Sequence, residues 1–135
     1  MTRFPADIRL SCEYFPPKTA DGRAKLLATH EELSVLAPAF SSVTYGAGGS
    51  TREATRDVVL ELARSGNAIA PHLSFGGDDE SLVLELLQTY RDDGIHRLVA
   101  LRGDLPSGVG GMSQLIHASE LVRFIRRHTG GHFTI

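Results

Sequence analysis

The segment Arg97-Leu98-Val99-Ala100-Leu101-Arg102-Gly103-Asp104 decides how the chain is read. Four apolar residues run together without a polar break, and an arginine, a glycine and an aspartate follow at once. Such a run predicts a strand buried on both faces, the habit of parallel sheets. Charged groups at the carboxyl end of that strand stand where α/β folds gather their chemistry.

The same plan repeats on either side. Toward the N-terminus, Ala68 to Leu73 reads as a strand ending in Pro71-His72, followed by the loop Ser74-Phe75-Gly76-Gly77. The helix after that loop carries Asp78, Asp79 and Glu80 in its first turn, the sign favoured there, and buries Leu82, Val83, Leu86, Leu87 and Tyr90 until Gly94 ends it. Phe40 to Thr44 is a further strand, and Ser50 with Glu53 has the spacing of a capping box opening a helix with Ala54, Val58 and Leu62 inward, closed by Gly66. Ile8 to Phe15 is the first strand, stopped by Pro16-Pro17; Ile8, Leu10, Cys12 and Tyr14 share one face, and Ser11 and Glu13 the other. Thr19 to Ala37 is predicted as a helix with Leu26, His30, Leu33 and Ala37 on its stripe, ended by Pro38; His30 there reads as a packed residue rather than a ligand. Toward the C-terminus a long loop, Leu105 to Gly111, precedes a helix with Leu115, Ala118, Leu121, Val122 and Ile125 inward. Gly130-Gly131 ends it, and His132 to Ile135 begins a fifth strand.

Four strand–helix units in regular succession predict a parallel sheet with right-handed crossovers. A closed (β/α)8 barrel needs roughly 200 residues or more, so the 135 residues are read as one partial domain, the N-terminal half of a TIM barrel, rather than a small open sheet. With 41% hydrophobic and 22% charged residues the composition is that of a globular domain. A net charge of -2 argues against a nucleic-acid surface, and the basic cluster Arg123, Arg126, Arg127 and His128 is explained by its place in the last turns of a helix. The single cysteine, Cys12, excludes an internal disulfide and a multi-cysteine metal site. With no signal-peptide core and no apolar stretch long enough to span a bilayer, a cytoplasmic protein without membrane contact is expected.

Each strand leads at its carboxyl end to its own polar group: Glu13, then Thr44-Tyr45, then His72, then Arg102 with Asp104. Read singly, a histidine or threonine in that place is a structural residue. Four on one rim predict a functional rim. Gly46-Ala47-Gly48-Gly49 fails both nucleotide motifs, since Thr51 stands where a dinucleotide fingerprint needs glycine and no P-loop lysine follows. What remains is a glycine-rich turn into a helix N-terminus, equally a tight turn or a place where a ligand approaches backbone. Arg102-Gly103-Asp104 as a cell-adhesion tripeptide is a poor reading at a buried strand end. Two acids on one rim, Glu13 and Asp104, allow one to be held protonated in a dry pocket while the other stays ionised beside Arg102 or His72. That division of labour serves general acid catalysis, glycoside hydrolysis and many lyases alike.

Three long motifs narrow the choice. Ser11-Cys12-Glu13-Tyr14-Phe15-Pro16-Pro17-Lys18, Ser42-Val43-Thr44-Tyr45-Gly46-Ala47-Gly48-Gly49-Ser50-Thr51-Arg52 and Ala100-Leu101-Arg102-Gly103-Asp104-Leu105-Pro106 closely resemble the methylenetetrahydrofolate reductase family, and Pro71-His72-Leu73 matches a shorter fourth motif in order. The resemblance covers nearly the whole chain but only the first half of the family's barrel. Cys12 and Tyr14 stand where phenylalanines are common, and the loop after Asp104 is slightly longer than usual.

The resemblance implies a ping-pong hydride relay: NADH or NADPH reduces bound FAD, and the flavin then reduces 5,10-methylenetetrahydrofolate to 5-methyltetrahydrofolate, a step of one-carbon metabolism and methionine biosynthesis. By motif, Glu13 is the general acid that opens the folate ring to an iminium, which asks for a carboxyl kept protonated by burial. Asp104 faces pteridine and flavin. Thr44, Tyr45, Ala47, His72, Arg102, Gly103, Asp104 and, less directly, Ala118 are implied as FAD contacts; Glu13, Thr44 and Asp104 are implied for folate; no metal is implied. Because family contacts to FAD and folate also come from the second half, this chain alone is expected to bind FAD poorly and turn over little. The complete protein is expected to be a homo-oligomer. Two other readings stay open: a flavin-independent barrel lyase or aldolase on the same rim, told apart by flavin absorbance, and a non-catalytic fragment that associates through its open sheet edge, told apart by size in solution.

Overall fold

The structure is a computed structural model that describes residues 5–45, 51–75, 79–103 and 117–135. The elements alternate: β1 (Ser11–Tyr14), α1 (Ala20–Ser34), β2 (Phe40–Val43), α2 (Arg52–Ala63), β3 (Ile69–Leu73), α3 (Glu80–Asp92), β4 (Val99–Ala100) and α4 (Ala118–Thr129). The strands lie in the order β1-β2-β3-β4, and every neighbouring pair is parallel. Beyond β4 the progression continues: Thr134 bridges Arg97 in parallel, with the Leu98 amide donating to the Thr134 carbonyl at 2.9 Å and the Thr134 amide donating to His96 at 2.7 Å. The expected fifth strand therefore starts in place beside β4. A doubly wound sheet reverses its strand order partway; these strands advance one way only. The architecture is the first half of a (β/α)8 barrel wall.

Alternation assigns the two faces. Tyr14, Val43, Ile69, Leu73 and Leu98 share one core with Val58, Val59 and Leu62 of α2, Val83, Leu87 and Tyr90 of α3, and Leu121 and Ile125 of α4. Helix α1 is attached more loosely: only His30 is fully buried, while Leu26, Leu27 and Leu33 are half-buried against the core. The opposite face carries Ser11 and Glu13 of β1, Phe40 and Ser42 of β2, Ala70 and His72 of β3, and Val99 of β4, because parallel partners in register point the same way. At the amino ends of the strands Arg97 lies over the Phe40 ring, 5.2 Å from its centroid. No helix covers this second face among the described residues. Hence β4 departs from the expected burial on both sides: Val99 and Ala100 are half-buried, and Leu101 is 36% exposed.

Local chemistry sets the helix ends, with differences from the expectations. Helix α1 opens on Thr19, whose hydroxyl accepts from the Gly22 amide, and it stops at Ser34 rather than Ala37. Helical backbone is disfavoured for the residue before Pro38, which ends the helix upstream, and the exposed Ala37 leaves it at φ 50. Helix α2 is capped by Thr51, accepting from the Ala54 amide at 3.1 Å, one residue later than the Ser50–Glu53 box. Ser50, Asp78 and Leu115, each given a place above, lie outside the described residues. Asp79 caps α3 through the Leu82 amide, and Gly94 leaves that helix at φ 75. At the end of α4 the Arg126 guanidinium donates to the carbonyls of Gly130 at 3.3 Å and Phe133 at 2.5 Å. Of the basic cluster, Arg126 thus serves the helix terminus directly.

Candidate functional site

The site is built where β1, β2 and β3 end. Glu13, Ser42 and Ala70 form one register row, and Thr44 and His72 belong to the same face one step further up. Across two inter-strand spacings, β1 and β3 are roughly 10 Å apart, so only long side chains can meet over the strand between them. Ser42 is short enough to let them. Glu13 Oε1 and His72 Nε2 lie 3.2 Å apart, within ion-pair reach yet off the line of a hydrogen bond. The two differ in surroundings: the His72 side chain is 8% exposed and that of Glu13 55%. Burial pushes the His72 imidazole below its ordinary value and the Glu13 carboxylate offsets only part of this, so the ring is neutral near pH 7. The burial expected for Glu13 is not supplied by the described residues, because β1 is the edge of the sheet and its outward flank meets no further strand there.

Thr44 is buried and its Oγ1 makes no hydrogen bond among the described residues, while its backbone is held twice: its amide donates to the Tyr14 carbonyl at 2.9 Å, and Thr55 Oγ1 donates to its carbonyl at 2.9 Å. Gly103 stands above β4 at φ +78, and a Cβ there would come within 3.2 Å of Ser74 Oγ. Only glycine satisfies both the backbone and the space. Arg102 is exposed at the rim, and Ala118 is the half-buried first residue of α4. Tyr45 lines a narrow cleft behind His72 with Arg52, Thr55, Ser74 and Tyr90. The Tyr90 hydroxyl is buried there without a hydrogen-bond partner among the described residues, and burial holds the phenol far above its ordinary value. Asp104 and Ala47 lie outside the described residues. Glu13, Thr44 and His72 are therefore brought together, Gly103 stands on the adjoining strand end, and no group of three histidine, cysteine or acidic side chains converges as a metal site among the described residues.

The profile of one family, methylenetetrahydrofolate reductase, matches residues 3–135. The chain belongs to the methylenetetrahydrofolate reductase family. It is 38% identical over 120 residues to the 5,10-methylenetetrahydrofolate reductase of Pectobacterium carotovorum subsp. carotovorum, covering 88% of this chain and 40% of that protein. Against the enzyme of the same name from Escherichia coli strain K12 the identity is 37%, with the same coverage. Methylenetetrahydrofolate reductase (NADH) 1 of Arabidopsis thaliana is 37% identical over 134 residues, 93% of this chain and 22% of that protein. The chain thus spans about 40% of the length of the bacterial relatives it matches.

Within this member of the family, two side chains escaped the reading of the sequence. Ser74, taken as a loop residue, is buried and forms the wall against Gly103. Its signal was there: Ser42 and Thr44, like His72 and Ser74, are polar residues two apart, the spacing of one strand face. His30 was read as packed, and it is, but its hydrogen bond to Tyr14 at 3.0 Å joins residues 16 apart and has no local signature. No helix among the described residues is long and apolar enough to cross a membrane.

Proposed function

We propose that the chain supplies the N-terminal half of a cytoplasmic flavoprotein barrel that reduces 5,10-methylenetetrahydrofolate to 5-methyltetrahydrofolate with NADH or NADPH, FAD being the flavin. The carrying observation is the meeting of Glu13 with His72 beside Thr44 at the carboxyl ends of parallel strands, in a chain of this family. The residues fit a polar ring cofactor. His72 Nε2 and Thr44 Oγ1 are buried and make no hydrogen bond among the described residues, and so are free to meet polar atoms of a bound ring. When bound, the flavin supplies hydride transfer.

The chain's own residues do the rest. With folate bound, Glu13, reaching over Ser42, delivers a proton from its carboxyl group to the folate nitrogen whose protonation opens the five-membered ring. Neutral His72 beside it sets no positive charge against that carboxyl group. Thr44 Oγ1 orients the bound ring by a hydrogen bond. Asp104 is assigned to both folate and flavin, with Arg102, Tyr45, Ala47, Gly103 and Ala118 as further flavin contacts.

The test is Glu13→Gln in the chain completed with the remainder of a bacterial relative. Reduction of the flavin by NADH or NADPH is expected to stay within about twofold, while folate reduction falls roughly 100- to 10,000-fold, the reach of a general acid. Equal folate reduction in both proteins refutes the role of Glu13. Absence of flavin from the completed protein refutes the function.

A further inference from the structure

We propose that His30 is a positioning residue for Glu13, acting through Tyr14 as a brace from behind the sheet. The inference rests on the reading of Glu13 above and names what holds that carboxylate in place. Glu13 and Tyr14 are consecutive on β1 and point to opposite faces, so the ring of one fixes the backbone that carries the other. The strand has only four residues and pairs with β2 alone among the described strands. A short edge strand is the least constrained place in a sheet, yet Glu13 must reach across β2 to meet His72.

The brace is a closed circuit. Tyr14 Oη is 3.0 Å from His30 Nδ1, and the two rings pack edge to face with centroids 5.6 Å apart. On its other side His30 Nε2 lies 3.2 Å from Ser65 Oγ, whose own hydroxyl donates to the Leu62 carbonyl at 2.6 Å. His30 Nε2 also lies 3.2 Å from Asn67 Nδ2, so Nε2 either donates to Ser65 or accepts from Asn67, and in both tautomers Nδ1 is left to pair with the Tyr14 hydroxyl. Asn67 donates to Ser34 Oγ at 2.8 Å, and Ser34 in turn donates to the His30 carbonyl at 2.7 Å. Burial keeps the imidazole below its ordinary value and the Tyr14 phenol above its own, a rise that the nearby Ser41 hydroxyl offsets only in part; both groups are neutral, as this arrangement requires. Ser65 and Asn67 belong to the connection that leads directly into β3, the fully buried strand that carries His72. The segment bracing His30 is thus continuous with the strand Glu13 must meet, and the two partners are referenced to each other on both faces of the sheet.

The experiment reads His72 by NMR titration of the 135-residue chain with carbon-13-labelled histidines, its resonance assigned through His72→Gln, and needs neither flavin nor folate. Glu13→Gln, which removes the neighbouring charge, should lower the His72 midpoint by roughly one pH unit. Tyr14→Phe, which deletes one oxygen and keeps the ring, should lower it by roughly half as much, and His30→Gln should do the same. In the Glu13→Gln background, Tyr14→Phe should have no further effect. A merely structural hydrogen bond would cost stability without moving His72. The proposal is overturned if both Tyr14→Phe and His30→Gln leave the His72 midpoint unchanged, or if Tyr14→Phe moves it equally with and without Glu13. Should Tyr14→Phe not fold, His30→Gln alone decides by the same readings. Because the readout uses no cofactor, failure of the brace is separable from failure of the proposed chemistry.

Discussion

Replacing Gly103 by alanine tests whether the strand-end backbone is as constrained as the geometry implies. Two costs combine. At φ +78 an L side chain pays roughly 1–2 kcal/mol for the left-handed region. The new methyl would also lie 3.2 Å from Ser74 Oγ and 3.3 Å from Ser74 Cβ. Ser74 is 5% exposed at the end of β3 and cannot swing into solvent, so the contact is relieved only by moving a strand end, at about 1 kcal/mol or somewhat more. A total loss of about 2–4 kcal/mol is expected for Gly103→Ala, read as a lower urea midpoint at unchanged m-value. Ser74→Gly removes both contacting atoms and leaves the backbone cost alone. In that background Gly103→Ala should cost only about 1–2 kcal/mol, so a double-mutant cycle isolates the steric part. A Gly103→Ala protein within 0.5 kcal/mol of its parent would refute the reasoning, as would a cycle with no coupling to Ser74.

Thr55→Val keeps the branched shape but removes the hydroxyl that donates to the Thr44 carbonyl at 2.9 Å; a loss of about 1–2 kcal/mol is expected by chemical denaturation, and an unchanged midpoint would show the bond to be dispensable. The buried histidines make stability depend on pH with a defined sign. Burial depresses His30 and His72 below the ordinary 6.5, so the unfolded chain binds more protons than the folded one as pH falls past that value. Stability should be flat above it, decline as pH falls through the depressed folded values, and level off below them. The double variant His30→Gln with His72→Gln should lose that slope, whereas a slope of the same size in the double variant would assign it to other groups. Of the three core helices, α4 offers the plainest test of packing: Leu121→Ala, at a fully buried position facing the sheet, should cost about 2–5 kcal/mol, and a loss under 1 kcal/mol would contradict its place in the core.

Some of this protein was determined by neighbours along the chain. The alternation Cys12, Tyr14 against Ser11, Glu13 divides the faces of β1, the stripes Val83-Leu86-Leu87-Tyr90 and Leu121-Ile125 choose the buried sides of α3 and α4, and Gly66, Gly94 and Gly130 mark helix ends at positive φ. These rest on backbone geometry repeated over two to four residues, which any stretch of sequence carries within itself. Even the gathering of Glu13, Thr44 and His72 on one rim follows once all strands are known to run the same way.

Distances between remote residues were decided only in three dimensions. That Glu13 reaches His72 depends on Ser42 being the residue between them, a matter of register across three strands. That Tyr14 finds His30, and His30 finds Ser65, depends on how α1 settles against the sheet. The same is true where the structure differs from the expectation: an apolar run does not record whether anything packs on the far side of β4, and the burial that the resemblance implies for Glu13 is not supplied by the described residues, in which β1 pairs with β2 alone. Burial and pairing are properties of the assembled sheet, since each depends on partners tens of residues away.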